Sequence, residues 1–508
     1  MAEWTSPLPW LPHERGLARW AAKRWTGAGD WPAALALLAA AEDEGHTALD
    51  WDRAEEVWNR RFANEIPVPR FDLPPPENWP RALFDEGWLR LVRGRVVQTA
   101  ARHALETRLL ADLTALAEGS TFAPETGQDA AVARAGRTRL LILVGGPGTG
   151  KTTTLKRLLA AWNQARPGVR AVVTAPTGRA AARAAEAFGA DTVPTLTVHR
   201  LLGLRPGLGE PRHGPERPLA FDLVIVDEAS MLDLRTAAAL TAALPEGAAL
   251  ALVGDPGQLP SVEAGSVLSS LLDRPEFASS TVRLTRRYRL EERSRSLAAA
   301  FDLLASAPAA DDVETLQALA REGRDFRWEI TPDGDTGRRA VEVWGPRAAT
   351  LATLNESILL SPVYDGPGGV RELGALAERA LGRVPGMAAH GTPWLITRNL
   401  AQLGLANGDR GVLLQTNDGL YFEAPGTRPW PFPMVAADGQ PAWAVTVHKS
   451  QGSEFDRVVL ALPPRDSFVS RELIYTGLTR AKSSAVLVAS VEAVRAALAR
   501  RMDRMSGW

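Results

Sequence analysis

A chain of 508 residues exceeds one comfortable hydrophobic core and calls for about two to four domains. Its 58 Lys and Arg nearly cancel its 59 Asp and Glu, so any nucleic-acid binding must come from a local groove and not from a global basic field. The lack of cysteine excludes structural disulfides and thiolate metal sites; with no secretory signal and no apolar run of about 18 residues, a soluble cytoplasmic enzyme with no membrane partner is expected.

From residue 1 to about 118 the pattern predicts a helical domain, with helical runs at Pro32–Glu42 and Val96–Ala117 either side of a Pro-rich stretch at 72–80. Tryptophan is concentrated here: Trp4, Trp10, Trp20, Trp25, Trp31, Trp51, Trp58, Trp79 and Trp88. Core packing accounts for most of them, but a small helical domain seldom needs so many indoles, so part of its surface is expected to dock a partner.

Gly119 to Gly127 reads as a linker, followed by Gln128, whose amide can donate and accept at once as an adenine edge requires. Residues 139–154, RLLILVGGPGTGKTTT, then break from an apolar run into glycines and a helix start. Leu140–Val144 suits a buried parallel strand, and Gly145, Gly146, Gly148 and Gly150, with Pro147 and Thr149 between them, let the backbone turn its N–H groups toward one point. A phosphate fits there: Lys151 would reach the β- and γ-phosphates of ATP, Thr152 would hold Mg2+, and Thr153 continues the helix whose positive dipole end faces the anion.

The strand Val169–Thr174 runs into APTGRAA and an Ala-rich helix, so a parallel α/β sheet is being built. TLTVHRLLG with His199 follows, and Leu204–Leu219, rich in Pro and Gly, reads as a projecting hairpin or loop. FDLVIVDEAS is a near-continuous apolar strand ending in Asp227, placed to hold the magnesium, and Glu228, placed to polarise an attacking water. A further strand, Ala248–Val253, ends in GDPGQLPSV, where Gln258 can bond the γ-phosphate or its water. Beyond TVRLT come Tyr288 and Arg289; Arg289 is a candidate arginine finger, with Arg286 and Arg287 as rivals.

Ala305–Asp312 reads as the end of the first half. The second half again alternates: a strand at Ala340–Trp344, a helix near Glu372–Gly382 and a strand at Pro393–Thr397. Between about 406 and 441, Asn-Gly, Asp-Gly and Gly-Thr turns predict a small inserted β-barrel. WAVTVHKSQGSEFDRVVLALP and SRELIYTGLTRAKSSAVLV then each join a strand to a polar, glycine-containing turn or helix. No second phosphate loop and no nuclease-type carboxylate cluster is identified.

In order along the chain, GGPGTGKTTT, TAPTGRAA, TLTVHRLLG, DEAS, GDPGQLPSV, LTRRYR, VTVHKSQGSEFDRVVL and YTGLTRAK resemble the successive motifs of helicase superfamily 1, and most closely those of the RecD family, the alpha subunit of exodeoxyribonuclease V. The resemblance runs from Gln128 to Val488. It implies two RecA-like parallel-sheet motor domains, at 119–308 and 309–508, with the insert at about 406–441 and a strand-separating pin at about 204–219. It also implies that Gln128 contacts adenine, Tyr288 stacks on the base, Glu454 contacts the ribose, and Arg289 and Arg480 are the two arginine fingers. DNA would cross both domains on Thr177, His199, Thr446, His448 and Lys449. The activity implied is ATP-dependent 5′ to 3′ DNA unwinding beside RecB-like and RecC-like subunits in double-strand-break repair and recombination. The rivals are a stand-alone helicase of the same family, whose members usually carry a longer amino-terminal extension than the roughly 120 residues seen here, an ATP-switched binding module, and a P-loop metabolite kinase.

Overall fold

Leu140–Gly145 carries no polar side chain, and in the computed structural model of the chain it is a strand buried along its whole length. Fully burying each such Leu, Ile or Val side chain contributes about 1.5–3 kcal/mol, so this strand belongs at the centre of a covered sheet. The structure describes residues 6–508 apart from 7, 27–28, 64, 66, 119–124, 190–191, 205–209, 289–294, 333, 465–468 and 503. Trp4, Arg289, most of the linker at 119–127 and part of the segment at 204–219 therefore lie outside the described residues.

The amino-terminal region packs helices Pro12–Arg24, Trp31–Asp43 and Ala54–Arg61 with a three-stranded antiparallel sheet of β1 (Leu49–Asp50), β2 (Leu89–Val92) and β3 (Val96–Thr99), in the order β1-β3-β2. The expectation of helix throughout is corrected here, because Val96–Thr99 pairs with Leu89–Val92 and helix begins only at Ala100. Arg93 and Gly94, in the three-residue connection between Val92 and Val96, both take positive φ, 48° and 83°, which turns the chain back sharply. Trp10, Trp25, Trp31, Trp51, Trp58 and Trp79 are buried in the core of this module. Trp20 and Trp88 are instead 42% and 44% exposed and stand edge to face, 5.1 Å apart.

Helix Ala100–Ala117 leaves that module and packs Leu109, Leu113 and Leu116 into the first parallel sheet. That sheet contains β4 (Glu125–Thr126), β5 (Leu140–Gly145), β6 (Ala171–Ala175), β7 (Thr195–Thr197), β8 (Leu223–Val226), β9 (Ala249–Gly254) and β10 (Thr281–Leu284), ordered β4-β10-β5-β9-β8-β6-β7. A second sheet, β11 (Phe326–Ile330), β12 (Ser357–Ser361), β18 (Ala444–Thr446), β19 (Phe455–Ala461) and β20 (Ala481–Ala489), is likewise parallel and ordered β11-β20-β19-β12-β18. Between β12 and β18 lie β13 (Pro393–Ile396), β14 (Arg410–Thr416), β15 (Gly419–Glu423), β16 (Trp430–Pro431) and β17 (Gly439–Pro441), which form an antiparallel sheet ordered β16-β15-β14-β13-β17.

Four sequence expectations change. Ala340–Trp344 is helix and not strand: Thr336, Gly337, Ala340 and Val341 are buried at helical spacing, which overrides the short Val-Glu-Val alternation. The strand at Pro393–Ile396 pairs with β14 and β17 and so opens the antiparallel insert, ahead of residue 406. Among the described residues no ladder joins β16 to β17, so the insert is an open sheet and not a closed barrel. Helix Arg295–Ala305 already packs Leu297, Phe301 and Leu304 into the second sheet's core with Phe326 and Leu360, so the chain crosses over before 305–312.

Residues 499–508 return to the amino-terminal module: Met505 N–H donates to His46 Nδ1 at 2.8 Å, and Thr47 N–H donates to the Met505 carbonyl at 3.0 Å. The crossover is held by a buried charge. Arg471, fully buried, donates to Asp312 Oδ2 at 2.5 Å and to the carbonyls of Leu303 and Leu304. Asp312→Ala leaves that guanidinium without a carboxylate, and the urea-unfolding transition of the second sheet is expected to lose about 3–5 kcal/mol. A loss below about 1 kcal/mol, the range of a surface pair, contradicts the assignment.

Candidate functional site

In an open parallel sheet the crevice beyond the carboxyl ends of the strands is where ligands bind. The loops after β10, β5, β9 and β8, four adjacent strands, here carry Tyr288, the glycine loop, Gln258 and the pair Asp227 and Glu228. The loop Gly146–Gly150 closes onto helix Lys151–Ala165, whose Leu155, Leu158 and Trp162 hold it against the sheet. Gly150 has φ +79°, and a Cβ there would stand 2.5 Å from Gln128 Nε2, so only glycine serves at this position.

These residues line one cleft of about 480 Å³. Its first wall is Gln128, Gly146, Pro147, Gly148, Thr149, Gly150, Lys151, Thr152, Thr153, Asp227, Glu228, Gln258 and Tyr288; its second is Gly452, Glu454, Thr479 and Arg480 from the other sheet. Gly145 lies just beneath, its carbonyl accepting from Lys151 Nζ at 2.6 Å, with the Gly146 carbonyl at 3.0 Å. Gln128 donates to the Thr149 carbonyl at 3.5 Å and accepts from Arg157 at 3.2 Å. The Tyr288 N–H donates to the Gly148 carbonyl at 2.9 Å, leaving the ring 52% exposed at the mouth beside the Arg286 guanidinium. A larger cavity of about 980 Å³, where helix Ala54–Arg61 meets residues 256–260 and 499–502, touches Gln258 and no other candidate.

Charged groups of both signs line the cleft. Burial, reinforced by the neighbouring Glu228, pushes Asp227 up to about 6. Glu228 adopts φ +53°, a conformation that costs a non-glycine residue on the order of 1–2 kcal/mol, and its Oε2 is buried with no hydrogen-bond partner. Opposite them, burial lowers the Arg480 pKa, against the pull of Glu228; its guanidinium donates to the Thr476 carbonyl at 3.0 Å and the Thr479 hydroxyl at 3.2 Å. Asp227 and the Thr152 hydroxyl line the same cleft and offer the oxygen donors that magnesium takes, while the orphaned Glu228 oxygen beside them is left to accept from a water.

Arg287 is taken by Asp302, at 2.5 Å, and by the Ala298 carbonyl, so it is spent on structure. Two further residues carry no sequence motif. Arg183, on helix Gly178–Phe188, lines the cleft and forms an ion pair with Glu454 across the seam. Tyr364, 38% exposed beyond β12, has the Lys449 ammonium 6.0 Å from its ring. The other proposed contacts also sit at or past strand carboxyl ends: Thr177 after β6, His199 after β7, Thr446 as the last residue of β18, and His448 and Lys449 after it. Thr177 and Thr446 cap short helices, each hydroxyl accepting a backbone N–H and keeping its own O–H to donate. His199 and Lys449 are exposed; burial, followed by the charge of Arg504, lowers the His448 pKa.

Residues 124–324 match the family model described as an AAA domain, and 441–488 match the UvrD-like helicase C-terminal domain. The chain is 38% identical over 408 residues to the RecBCD enzyme subunit RecD of Mycobacterium tuberculosis, covering 72% of this chain and 69% of that one. The RecD subunit of Mycolicibacterium smegmatis is 35% identical, covering 72% and 71%. The ATP-dependent RecD2 DNA helicase of Deinococcus radiodurans is also 35% identical, but the matched region covers 49% of its length.

Because Asp227 titrates near 6 in the folded chain against 3.8 for an ordinary aspartate, the folded chain keeps, between those values, a proton the unfolded chain has lost. Stability therefore falls as pH rises through that window, and a cation on Asp227 must displace the proton. Magnesium titrated at about pH 6 is expected to release about half a proton per chain, and almost none at about pH 8. Asp227→Asn abolishes the release; calorimetry in buffers of different ionisation enthalpy reads it, and pH-independent binding without release contradicts the site.

Proposed function

Because the chain belongs to the RecD family and is an ATP-dependent DNA helicase, we propose that it is the 5′ to 3′ motor subunit of a cytoplasmic RecBCD-type helicase-nuclease acting in double-strand-break repair and recombination. The observation that carries this reading is the cleft itself, with Lys151 on one sheet and Arg480 on the other facing the same space. A translocase needs its nucleotide at such a seam, so that loss of the terminal phosphate loosens one half from the other.

In this reading Lys151 leaves the carbonyls of Gly145 and Gly146 for the β- and γ-phosphate oxygens, and the N–H groups of 146–153 cradle the chain of phosphates. Thr152 and Asp227 would hold Mg2+, which would supply charge neutralisation to the phosphates. Glu228 accepts the proton of a water whose oxygen bonds to the γ-phosphorus as the bond to the β–γ bridging oxygen breaks, giving ADP and phosphate. Gln258 bonds the γ-phosphate or that water; Arg480, with Arg289, meets the charge that develops. Gln128 and Tyr288 hold the adenine, and Glu454 takes the ribose by exchange from Arg183. DNA phosphates rest on Thr177, His199, Thr446, His448 and Lys449, and Tyr364 offers a base-stacking face. Residues 1–118 dock the RecB-like and RecC-like partners, a role supported by the exposed Trp20 and Trp88 pair. Residues 119–308 and 309–508 are the motor halves, with the crossover drawn back to helix Arg295–Ala305, and 204–219 is the pin.

The Deinococcus relative, named as a DNA helicase and not as a subunit, leaves a second reading, a helicase of the same family working without nuclease partners. Co-purification from the native cell separates the two: two large partner chains support the first, an isolated chain the second. Glu228→Gln is expected to lower ATP turnover with single-stranded DNA by about 10²-fold or more while DNA affinity stays within about twofold. Retained turnover removes Glu228 from the mechanism, and a wild-type rate indifferent to DNA would instead favour a nucleotide-switched binding module.

A further inference from the structure

Helix Arg471–Leu478 leads directly into Thr479 and Arg480, and Tyr475 lies about one turn before that arginine. Tyr475 is 1% exposed, its ring edge-on to Phe301 at 6.3 Å. Its hydroxyl donates to Asp255 Oδ2 at 2.9 Å, crossing from the second sheet to the loop after β9 of the first. The same oxygen accepts the side-chain amide of Gln258 at 3.1 Å. The neighbouring residue repeats the crossing: the Leu259 N–H donates to the Thr476 hydroxyl at 2.9 Å, while the Thr476 carbonyl holds Arg480 Nε at 3.0 Å. The phenol also abuts the glycine loop, since a Cβ on Gly146 would stand 3.2 Å from its oxygen. Burial and then the Asp255 charge keep the phenol protonated well above its ordinary value, so it is a donor at every working pH.

One buried hydroxyl thus touches the loop that would carry the phosphates, the loop that would sense the terminal one, and the helix that would deliver the finger. If Gln258 turns toward a phosphate oxygen, Asp255 Oδ2 loses one of its two side-chain donors and the bond from Tyr475 tightens. We propose that Tyr475 is a positioning residue which, through Asp255, makes the orientation of Gln258 and the placement of Arg480 a single event, so that nucleotide occupancy is passed from the first sheet to the second. This rests on the helicase reading and adds to it a residue that acts only through others.

The test is steady-state ATP hydrolysis by the full chain, with and without single-stranded DNA, for wild type, Tyr475→Phe, Gln258→Ala and the double variant. Tyr475→Phe keeps the ring and loses the hydroxyl. Its DNA-stimulated kcat is expected to fall about 10-fold with KM for ATP within about twofold, and in the Gln258→Ala background it should cost less than about twofold more. A lower unfolding midpoint with kcat intact, or losses that multiply in the double variant, would overturn the proposal by making Tyr475 a packing residue. Should Tyr475→Phe not fold, Asp255→Asn, which keeps shape and an acceptor, must show the same kcat-only, non-multiplying loss; if it does not, the proposal fails. A wild type whose hydrolysis ignores DNA removes the helicase reading and this relay together, whereas a stimulated wild type with an undisturbed Tyr475→Phe removes the relay alone.

Discussion

At the seam the adjacent carboxylates of Asp227 and Glu228 on one sheet share a cleft with the Arg480 guanidinium of the other. Asp227 and Glu228 are adjacent and half-buried on one side, with Glu228 Oε2 lacking a partner; Arg480 is buried on the other and held by a carbonyl and a hydroxyl in place of a carboxylate. Isolated buried charges cost several kcal/mol each unless something pairs them. A ligand that brings a divalent cation to the carboxylates and a polyphosphate to the arginine satisfies both walls at once.

The fold supplies this geometry with little freedom left over. Parallel strands expose their carboxyl ends on one edge, so the residues after β5, β8, β9 and β10 converge without any long-range bending of the chain. The second sheet presents Glu454 and Arg480 from the segments leading into β19 and β20, which are paired neighbours, and the buried Arg471–Asp312 contact fixes the helix that leads to Arg480. Direct bonds between Asp255 and Tyr475 and between Leu259 and Thr476 then make the seam a jointed contact and not an open gap. Among the described residues of the site, Glu228 is the non-glycine residue with positive φ.

Much of the first wall was legible because its chemistry depends on spacing along one stretch of chain. Glycines at fixed intervals before Lys151, and two acids at the end of an apolar strand, leave few alternatives. Arg183 was not legible: it sits in an Ala-rich helix with nothing local to mark it, and its partner Glu454 is distant in sequence. Tyr475 opens the motif YTGLTRAK, but its partner Asp255 is distant in sequence, so no local pattern assigns its hydroxyl. The errors in the fold were errors of short windows. Val-Glu-Val mimics a strand inside an amphipathic helix, and the hairpin at Arg93–Gly94 was hidden because arginine seldom occupies a left-handed turn position. The strand Pro393–Ile396 was recognised as a strand, but which sheet it joins depends on partners that no local pattern specifies.

The central claim is that one terminal phosphate is gripped from both sheets. A crystal structure of the chain with magnesium, ADP and a trigonal or tetrahedral phosphate mimic tests it most directly. The account predicts Lys151 Nζ released from the carbonyls of Gly145 and Gly146, and the Arg480 guanidinium moved off Thr479, both within about 3 Å of the mimic's oxygens. Arg480 still bonded to Thr476 and Thr479, with the mimic held by the first sheet alone, would contradict it.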